Sequence, residues 1–224
     1  VSRALVLLSG GKDSAIALWW AMANHDDVTA LSLDHADRPR REVLAARRLA
    51  KAAGSELIEG ELPFVRSMGS ARVAYGAGLD TAGAYIPMRN LLFFAAAGYF
   101  AEKSGVERIV GGQLRSDGAA YPDATPQFFD ALGKLLALTV SGGFTGDVHS
   151  LTVDLPLMTL SDAQAVQLGL RLGVPFEMSW SCLHDGDFPC RVCVSCRDRA
   201  RALVAGAAAN RQQDRSIPDS RGES

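Results

Sequence analysis

Two short segments, far apart in the chain, carry residue types able to do chemistry. Residues 7–14 read Leu-Leu-Ser-Gly-Gly-Lys-Asp-Ser, after the apolar run Ala4-Leu5-Val6 and before the apolar stretch Ala15–Met22. That order predicts a strand, a tight turn and a helix start in one segment. Paired glycines let the backbone approach a ligand with no Cβ in the way. The free amides of the helix start and the positive end of its dipole both face the turn, which makes it an anion site. Ser9, Gly10, Gly11, Asp13 and Ser14 are therefore candidate phosphate-binding residues. The spacing excludes the Walker pattern, whose first glycine stands further from its Gly-Lys-Ser/Thr end. An ordinary capped strand-to-helix turn is the alternative.

The second segment holds every cysteine of the chain: Cys182, Cys190, Cys193 and Cys196. In a chain expected to be cytoplasmic, such clustering points to metal rather than to disulfides. Four thiolates close a tetrahedral shell around zinc and leave no position for water, so the expected role is structural. An iron–sulfur cluster is the alternative for the same donor set. His184 sits in the first loop as a possible substitute ligand or a solvated histidine.

These segments need elements to hold them. The 224 residues suit one α/β domain with a small appendage. A net charge of −2 gives no electrostatic footprint for nucleic acid. No apolar run is long enough to span a bilayer, and no signal peptide is expected ahead of the turn. The apolar pattern predicts strands at Ala4–Leu8, Val28–Leu33, Glu56–Glu59, Arg108–Gly111 and Ser150–Asp154. Between and after them it predicts helices at Ser14–Asn24, Arg40–Ala53, Asn90–Ser104, Pro126–Thr139 and Asp162–Leu172. Such alternation argues a parallel sheet with right-handed crossovers. Ser161 and Gln164 form a capping box, and Gly173 with Pro175 ends the helix it opens. Residues Pro63–Tyr85 are glycine-containing and aperiodic, as expected of an active-site loop, and Gly142, Gly143 and Gly146 mark a second connection. From Ala207 the polar composition predicts a disordered tail.

The Ser9–Ser14 segment resembles the SGGxDS pyrophosphate loop of the N-type ATP pyrophosphatases, the PP-loop superfamily. Ile86-Pro87-Met88-Arg89-Asn90 follows, then Gly112, Asp117, Tyr121-Pro122-Asp123 and Pro156-Leu157. Leu172-Gly173-Val174-Pro175 leads into Ser179-Trp180-Ser181-Cys182 and the other three cysteines. With these residues the chain resembles the 7-cyano-7-deazaguanine synthase family over nearly its whole length. The Trp-Ser-Cys end is the most specific part.

The resemblance implies a Rossmann-like parallel sheet with helices on both faces, of the adenine nucleotide alpha hydrolase type, carrying a C-terminal zinc knuckle. It implies a PP-loop domain over 1–176, a four-cysteine zinc segment over 177–206 and the tail over 207–224. It also implies an ATP-dependent ligase that turns 7-carboxy-7-deazaguanine and ammonia into the nitrile, with AMP released and a homodimer possible. ATP, magnesium and zinc are the implied cofactors. Asp13 is then a candidate catalytic residue and magnesium ligand. Arg89 is a candidate clamp for a phosphate or the substrate carboxylate. Asn90, Asp117, Tyr121 and Asp123 are candidate substrate residues, Asp123 with a catalytic role, and Tyr85 is a second candidate for stacking. A solvent-facing arginine, turn-forming aspartates and packing tyrosines are the plain alternatives.

Three departures stand out. The family's Asp-Tyr-Gly-Gln segment reads Asp34-His35-Ala36-Asp37 here, and its Ser-Gly-Tyr-Pro-Asp-Cys-Arg segment reads Ala119-Ala120-Tyr121-Pro122-Asp123-Ala124-Thr125. Where a Thr/Ser-Lys pair commonly precedes the last helix, this chain has Ser161-Asp162. Lys12 in the loop is a candidate catalytic cation that replaces the lost charge. If ordinary nitrile-forming chemistry is kept, Asp162→Lys is expected to leave activity intact or raise it. The departures also leave open a diverged paralogue that adenylates a related acid, an RNA-modifying enzyme on the same fold, and a non-catalytic nucleotide-binding module.

Overall fold

The computed structural model describes residues 1–67, 85–140 and 150–216. Five parallel strands form its sheet: β1 (Arg3–Leu7), β2 (Asp27–His35), β3 (Glu56–Leu62), β4 (Arg108–Val110) and β5 (Thr152–Asp154). Their order is β3-β2-β1-β4-β5. The direction of winding reverses between β1 and β4, and ligands of open α/β sheets bind outside the strand ends at such a point. The chain leaves β1 there directly into Ser9–Gly11.

Helices cover both faces. On one side lie α1 (Lys12–Asn24), α2 (Arg40–Ala53), α6 (Asp162–Arg171) and α7 (Val194–Ser216). Ile16, Leu18, Leu49, Val166 and Ala202 pack there against Val6 and Val110. On the other side lie α3 (Arg89–Lys103) and α5 (Pro126–Thr139), with Phe94, Phe129, Leu132 and Leu136 packed on Leu5 and Ile109. A short helix, α4 (Asp117–Ala120), and a 3-10 turn at Pro122–Ala124 bridge β4 to α5. β1 is buried from Ala4 to Val6, as expected of a central strand covered on both faces.

The expected strands and long helices are all present, two helices with both ends as expected and no end displaced by more than three residues. The polar stretch from Ala207 is corrected in part: it continues α7 to Ser216 rather than leaving the domain. Ala207, Ala208 and Ala209 are strong helix formers, and the helix is already anchored upstream by Ala202 in the core. The expected active-site loop falls mostly on 68–84, and Gly142, Gly143 and Gly146 on 141–149, outside the described residues. Among the described residues no helix is long and apolar enough to cross a membrane.

Candidate active site

The turn after β1 closes on itself. Gly10 N–H donates to Ser14 Oγ (3.2 Å), Gly11 N–H donates to Ser9 Oγ (3.2 Å), and the two hydroxyl oxygens lie 3.0 Å apart. Gly10 has φ of +100°, and a Cβ on it would stand 2.3 Å from the Glu42 carbonyl oxygen. The turn can therefore pass this close to α2 only as glycine. Gly112, after β4, is equally constrained: a Cβ there would meet the Asp13 backbone at 2.8 Å.

A cleft of about 360 Å³ opens at this end of the sheet. Ser9, Asp13, Ser14, Arg89, Asn90 and Asp117 are on its wall. Residues that the sequence places in three separate segments thus meet at one site. Arg89 reaches it because Met88 takes a left-handed conformation, φ 52°, and turns the chain into α3. The Arg89 guanidinium also lies 5.6 Å over the Tyr121 ring, and Tyr121 stacks on Tyr85 with centroids 6.2 Å apart.

Three of the expected site residues hold structure at the cleft. The Asp123 carboxylate accepts from Asn90 N–H (2.9 Å), and the Asn90 side-chain amide donates to the Asp123 carbonyl (2.8 Å). Asn90 also accepts from Gln113 Nε2 (3.2 Å), so its amide group fixes the start of α3. Lys12 lies behind Asp13, its side chain 7% exposed, with Nζ 2.6 Å from Asp13 Oδ1 and 3.5 Å from Asp162 Oδ1. This contact corrects the expectation for Asp162→Lys. A second ammonium would then stand against Lys12, and activity is expected to fall. Thr125, at a position where the chain departs from the family pattern, caps α5 by accepting from Phe128 N–H.

Sequence reading missed Arg38 and Glu42. The Arg38 guanidinium is 2% exposed, donates to Ser32 Oγ (3.0 Å) and the Leu33 carbonyl (2.9 Å), and also reaches the Ser9 carbonyl. It ties the end of β2 to the glycine turn. Glu42 lies 3.8 Å from Arg38 Nε on the cleft wall. The i,i+4 spacing of the pair was the available signal, and on an amphipathic helix it reads as a solvated face. His35 and Gln113 also line the cleft, with His35 Nδ1 and Gln113 Oε1 buried without partners among the described residues.

Burial pushes the Glu42 carboxyl up to about 7, against the pull of Arg38 and Arg89. It pushes Asp13 up to about 6, outweighing the opposing pull of Lys12, and Asp117 upward as well. A carboxyl whose folded value is raised binds its proton more tightly folded than unfolded. Its contribution is therefore lost as pH rises from the ordinary carboxylate range through the raised value. Glu42→Gln is expected to remove part of that slope. It should melt higher than the parent at pH 8, with the two converging near pH 5. With 25% of the side chain open to solvent, the gain is on the order of 2 kcal/mol. An equal difference at both pH values would contradict this.

The four cysteine sulfurs all lie within 4.8 Å of one another, Cys190 and Cys196 at 4.0 Å. Sulfurs around one tetrahedral ion of ordinary metal–sulfur length stand about 3.8 Å apart, so the cluster fits a single metal ion. Backbone amides of His184, Cys190 and Cys193 point at the sulfurs, as thiolates require. This segment is fastened to the glycine turn: Trp180 N–H donates to the Gly10 carbonyl (2.8 Å). It also caps α2, whose own N-cap Pro39 makes no side-chain bond. Asp185, between Cys182 and Cys190, accepts from the Arg40 and Arg41 amides, each at 3.0 Å.

The family model described as "Queuosine biosynthesis protein QueC" matches residues 3–206. The chain belongs to that family. It is 37% identical over 213 residues to the 7-cyano-7-deazaguanine synthase of Synechococcus sp. (strain CC9311), covering 91% of this chain and 93% of that protein. It is 32% identical to the synthase of Thermoplasma acidophilum, covering 90% and 87%. Among solved structures, the U34-tRNA thiolase NcsA from Methanococcus maripaludis superposes with a TM-score of 0.50 at 13% identity, covering 99% of this chain and 76% of that one. A 4-thiouridine synthetase complexed with RNA and ATP gives 0.50 at 17% identity, covering 94% and 53%. These two likenesses show the shared PP-loop fold. The QueC relatives make the chain a ligase-type enzyme.

Proposed function

We propose that this protein converts 7-carboxy-7-deazaguanine and ammonia to 7-cyano-7-deazaguanine, consuming two ATP. Neither a carboxylate nor an amide oxygen leaves readily at neutral pH, and an adenylate makes either one a leaving group. In the first stage the acid's oxygen attacks the α-phosphorus of ATP and pyrophosphate departs. Ammonia then adds to the acyl carbon, and AMP leaves with the oxygen to give the amide. In the second stage the amide oxygen attacks a second ATP in the same way. Loss of AMP and of the remaining nitrogen-bound protons gives the nitrile.

The observation that carries this reading is the convergence of Ser9, Asp13, Ser14, Arg89 and Asp117 on one cleft at the winding switch of the sheet. Pyrophosphate is assigned to the glycine turn, where the α1 dipole and the Ser9 and Ser14 hydroxyls meet it. Arg89 is assigned to the charge that grows at the phosphoryl group or to the acid's carboxylate. Asp13 and Asp117 would hold magnesium, which neutralises phosphate charge. The Tyr85–Tyr121 pair behind Arg89 supports a heterocyclic acid. Zinc fits the four-sulfur shell and would hold the C-terminal segment, with no part in the reaction. An RNA sulfur-transfer reading has less support, because all four cysteines of the chain converge in that shell and none is left to carry sulfur.

Mass spectrometry of the protein incubated with ATP, the acid and ammonia tests the assignment. The acid should pass to amide and then nitrile, with AMP formed twice per nitrile. Accumulation of adenylate with no nitrile would favour the diverged paralogue, and no ATP consumption with any deazaguanine acid would overturn both.

A further inference from the structure

Lys12 occupies an unfavourable place for a cation. It is the first residue of α1, where the helix dipole is positive, and its side chain is nearly buried. Both circumstances disfavour an ammonium. Two carboxylates from different helices compensate: Asp13 of α1 at 2.6 Å and Asp162, the first residue of α6, at 3.5 Å. Asp162 is itself held, since its other oxygen accepts from Ser116 Oγ (3.2 Å), and the capping box of Ser161 and Gln164 fixes the start of α6. Asp162 therefore joins the starts of α1 and α6 to the residue just before Asp117.

On the cleft side the consequence is electrostatic. The charges of Asp117 and Asp162 add to burial in pushing Asp13 upward, that of Asp162 adds to burial at Asp117, and Asp13 and Asp117 are on the cleft wall. A triphosphate or pyrophosphate entering there meets carboxylates as well as the glycine turn. The charge of Arg89 acts on Asp117 against its burial. Lys12 is in direct contact with Asp13, and Asp162 stands on the other side of the same ammonium.

We propose that Asp162 is a positioning residue for polyphosphate binding, holding the Lys12 ammonium against the rear of Asp13 so that this end of the cleft accepts a polyanion. This rests on the assignment of pyrophosphate to the Ser9–Ser14 turn. A role through space alone makes the opposite prediction in sign. Asp162 is an anion near the phosphates, so its neutralisation would then tighten their binding. Positioning requires that neutralisation weaken it, because the freed ammonium leaves Asp13.

Titration of the whole protein with inorganic pyrophosphate and with ATP, followed by KM and kcat for ATP, separates the two. Asp162→Asn is expected to weaken pyrophosphate roughly fivefold, the upper end for a half-exposed ion pair, and to raise KM for ATP more than it lowers kcat. Lys12→Met is expected to weaken it by about tenfold or more. Asp162→Glu, still able to reach Lys12, should stay close to the parent. The double variant Lys12→Met/Asp162→Lys, which supplies one ammonium from the other side of the contact, should recover most of the loss of Lys12→Met. Unchanged or tighter pyrophosphate binding by Asp162→Asn overturns the proposal, and so does a double variant no better than Lys12→Met. Should Asp162→Asn fail to fold by thermal melting, Asp162→Glu and the double variant still decide it. A parent protein that binds neither pyrophosphate nor ATP overturns the phosphate assignment itself and this inference with it.

Discussion

Asp13→Asn is expected to lower ATP consumption by about 10³-fold while leaving the fold as stable as the parent or slightly more so. The activity loss follows from position. Asp13 is the carboxylate that follows the glycine turn, it is on the cleft wall, and Lys12 holds one of its oxygens at 2.6 Å. The stability result follows from the cost of keeping this group. Burial raises Asp13 to about 6, so near neutral pH the folded chain carries an ionised carboxylate that costs more there than in the unfolded chain. An amide of the same shape relieves that cost. It leaves Lys12 with Asp162 as its remaining carboxylate partner, which offsets part of the gain. AMP release measured beside a melting curve checks both halves. Parent-like AMP release would remove Asp13 from the chemistry, and a large drop in melting temperature would make it a structural residue.

The fold was legible because its elements obey local rules. The apolar runs at Ala4–Leu8 and Val28–Leu33 are short and rich in branched residues. Arg40–Ala53 has a strong apolar stripe closed by Gly54, whose φ of +71° is the expected left-handed stop. Ser161 and Gln164 form the capping box that their spacing predicts. The tail was misread for a physical reason: composition registers polarity, whereas α7 persists to Ser216 because a helix anchored in the core propagates cheaply through alanines.

The site was legible wherever chemistry lies in contiguous residues. Ser9–Ser14, Arg89-Asn90 and the cysteines are segments, and the fold brings the first two to one cleft. What could not be read is pairing between segments. The sequence offers Asp123 as a substrate residue and does not display that its carboxylate and carbonyl both hold Asn90. Asp162 looked like a lost cation, and its meaning changes once Lys12 is found 3.5 Å away. Asp185 carried no signal and Arg38 only its spacing to Glu42, because one meets the amides of α2 and the other the Ser9 carbonyl across long sequence separations.

Cys193→Ser is expected to remove the bound metal and to destabilise far more than the knuckle alone. The segment between Cys182 and Cys196 has little core of its own: Phe188 and Val192 are exposed, and the cysteines pack mainly against Trp180 and Ala45. Metal binding would then supply much of its order, and that binding energy would be folding energy, several kcal/mol on the scale of structural sites. Two residues carry the loss into the cleft. Trp180 N–H holds the Gly10 carbonyl at 2.8 Å, and Asp185 caps α2, the helix whose Glu42 carbonyl abuts Gly10. Metal loss should therefore lower the melting temperature and weaken ATP binding together. Asp185→Ala separates the two routes: it should keep the metal, lower the melting temperature only modestly as a lost cap, and weaken ATP only slightly. Metal analysis should find about one zinc per chain in the parent and almost none in Cys193→Ser. A brown parent protein absorbing in the visible would instead mean an iron–sulfur cluster, and a metal-free Cys193→Ser protein that binds ATP like the parent would show that the cysteine segment does not support the turn.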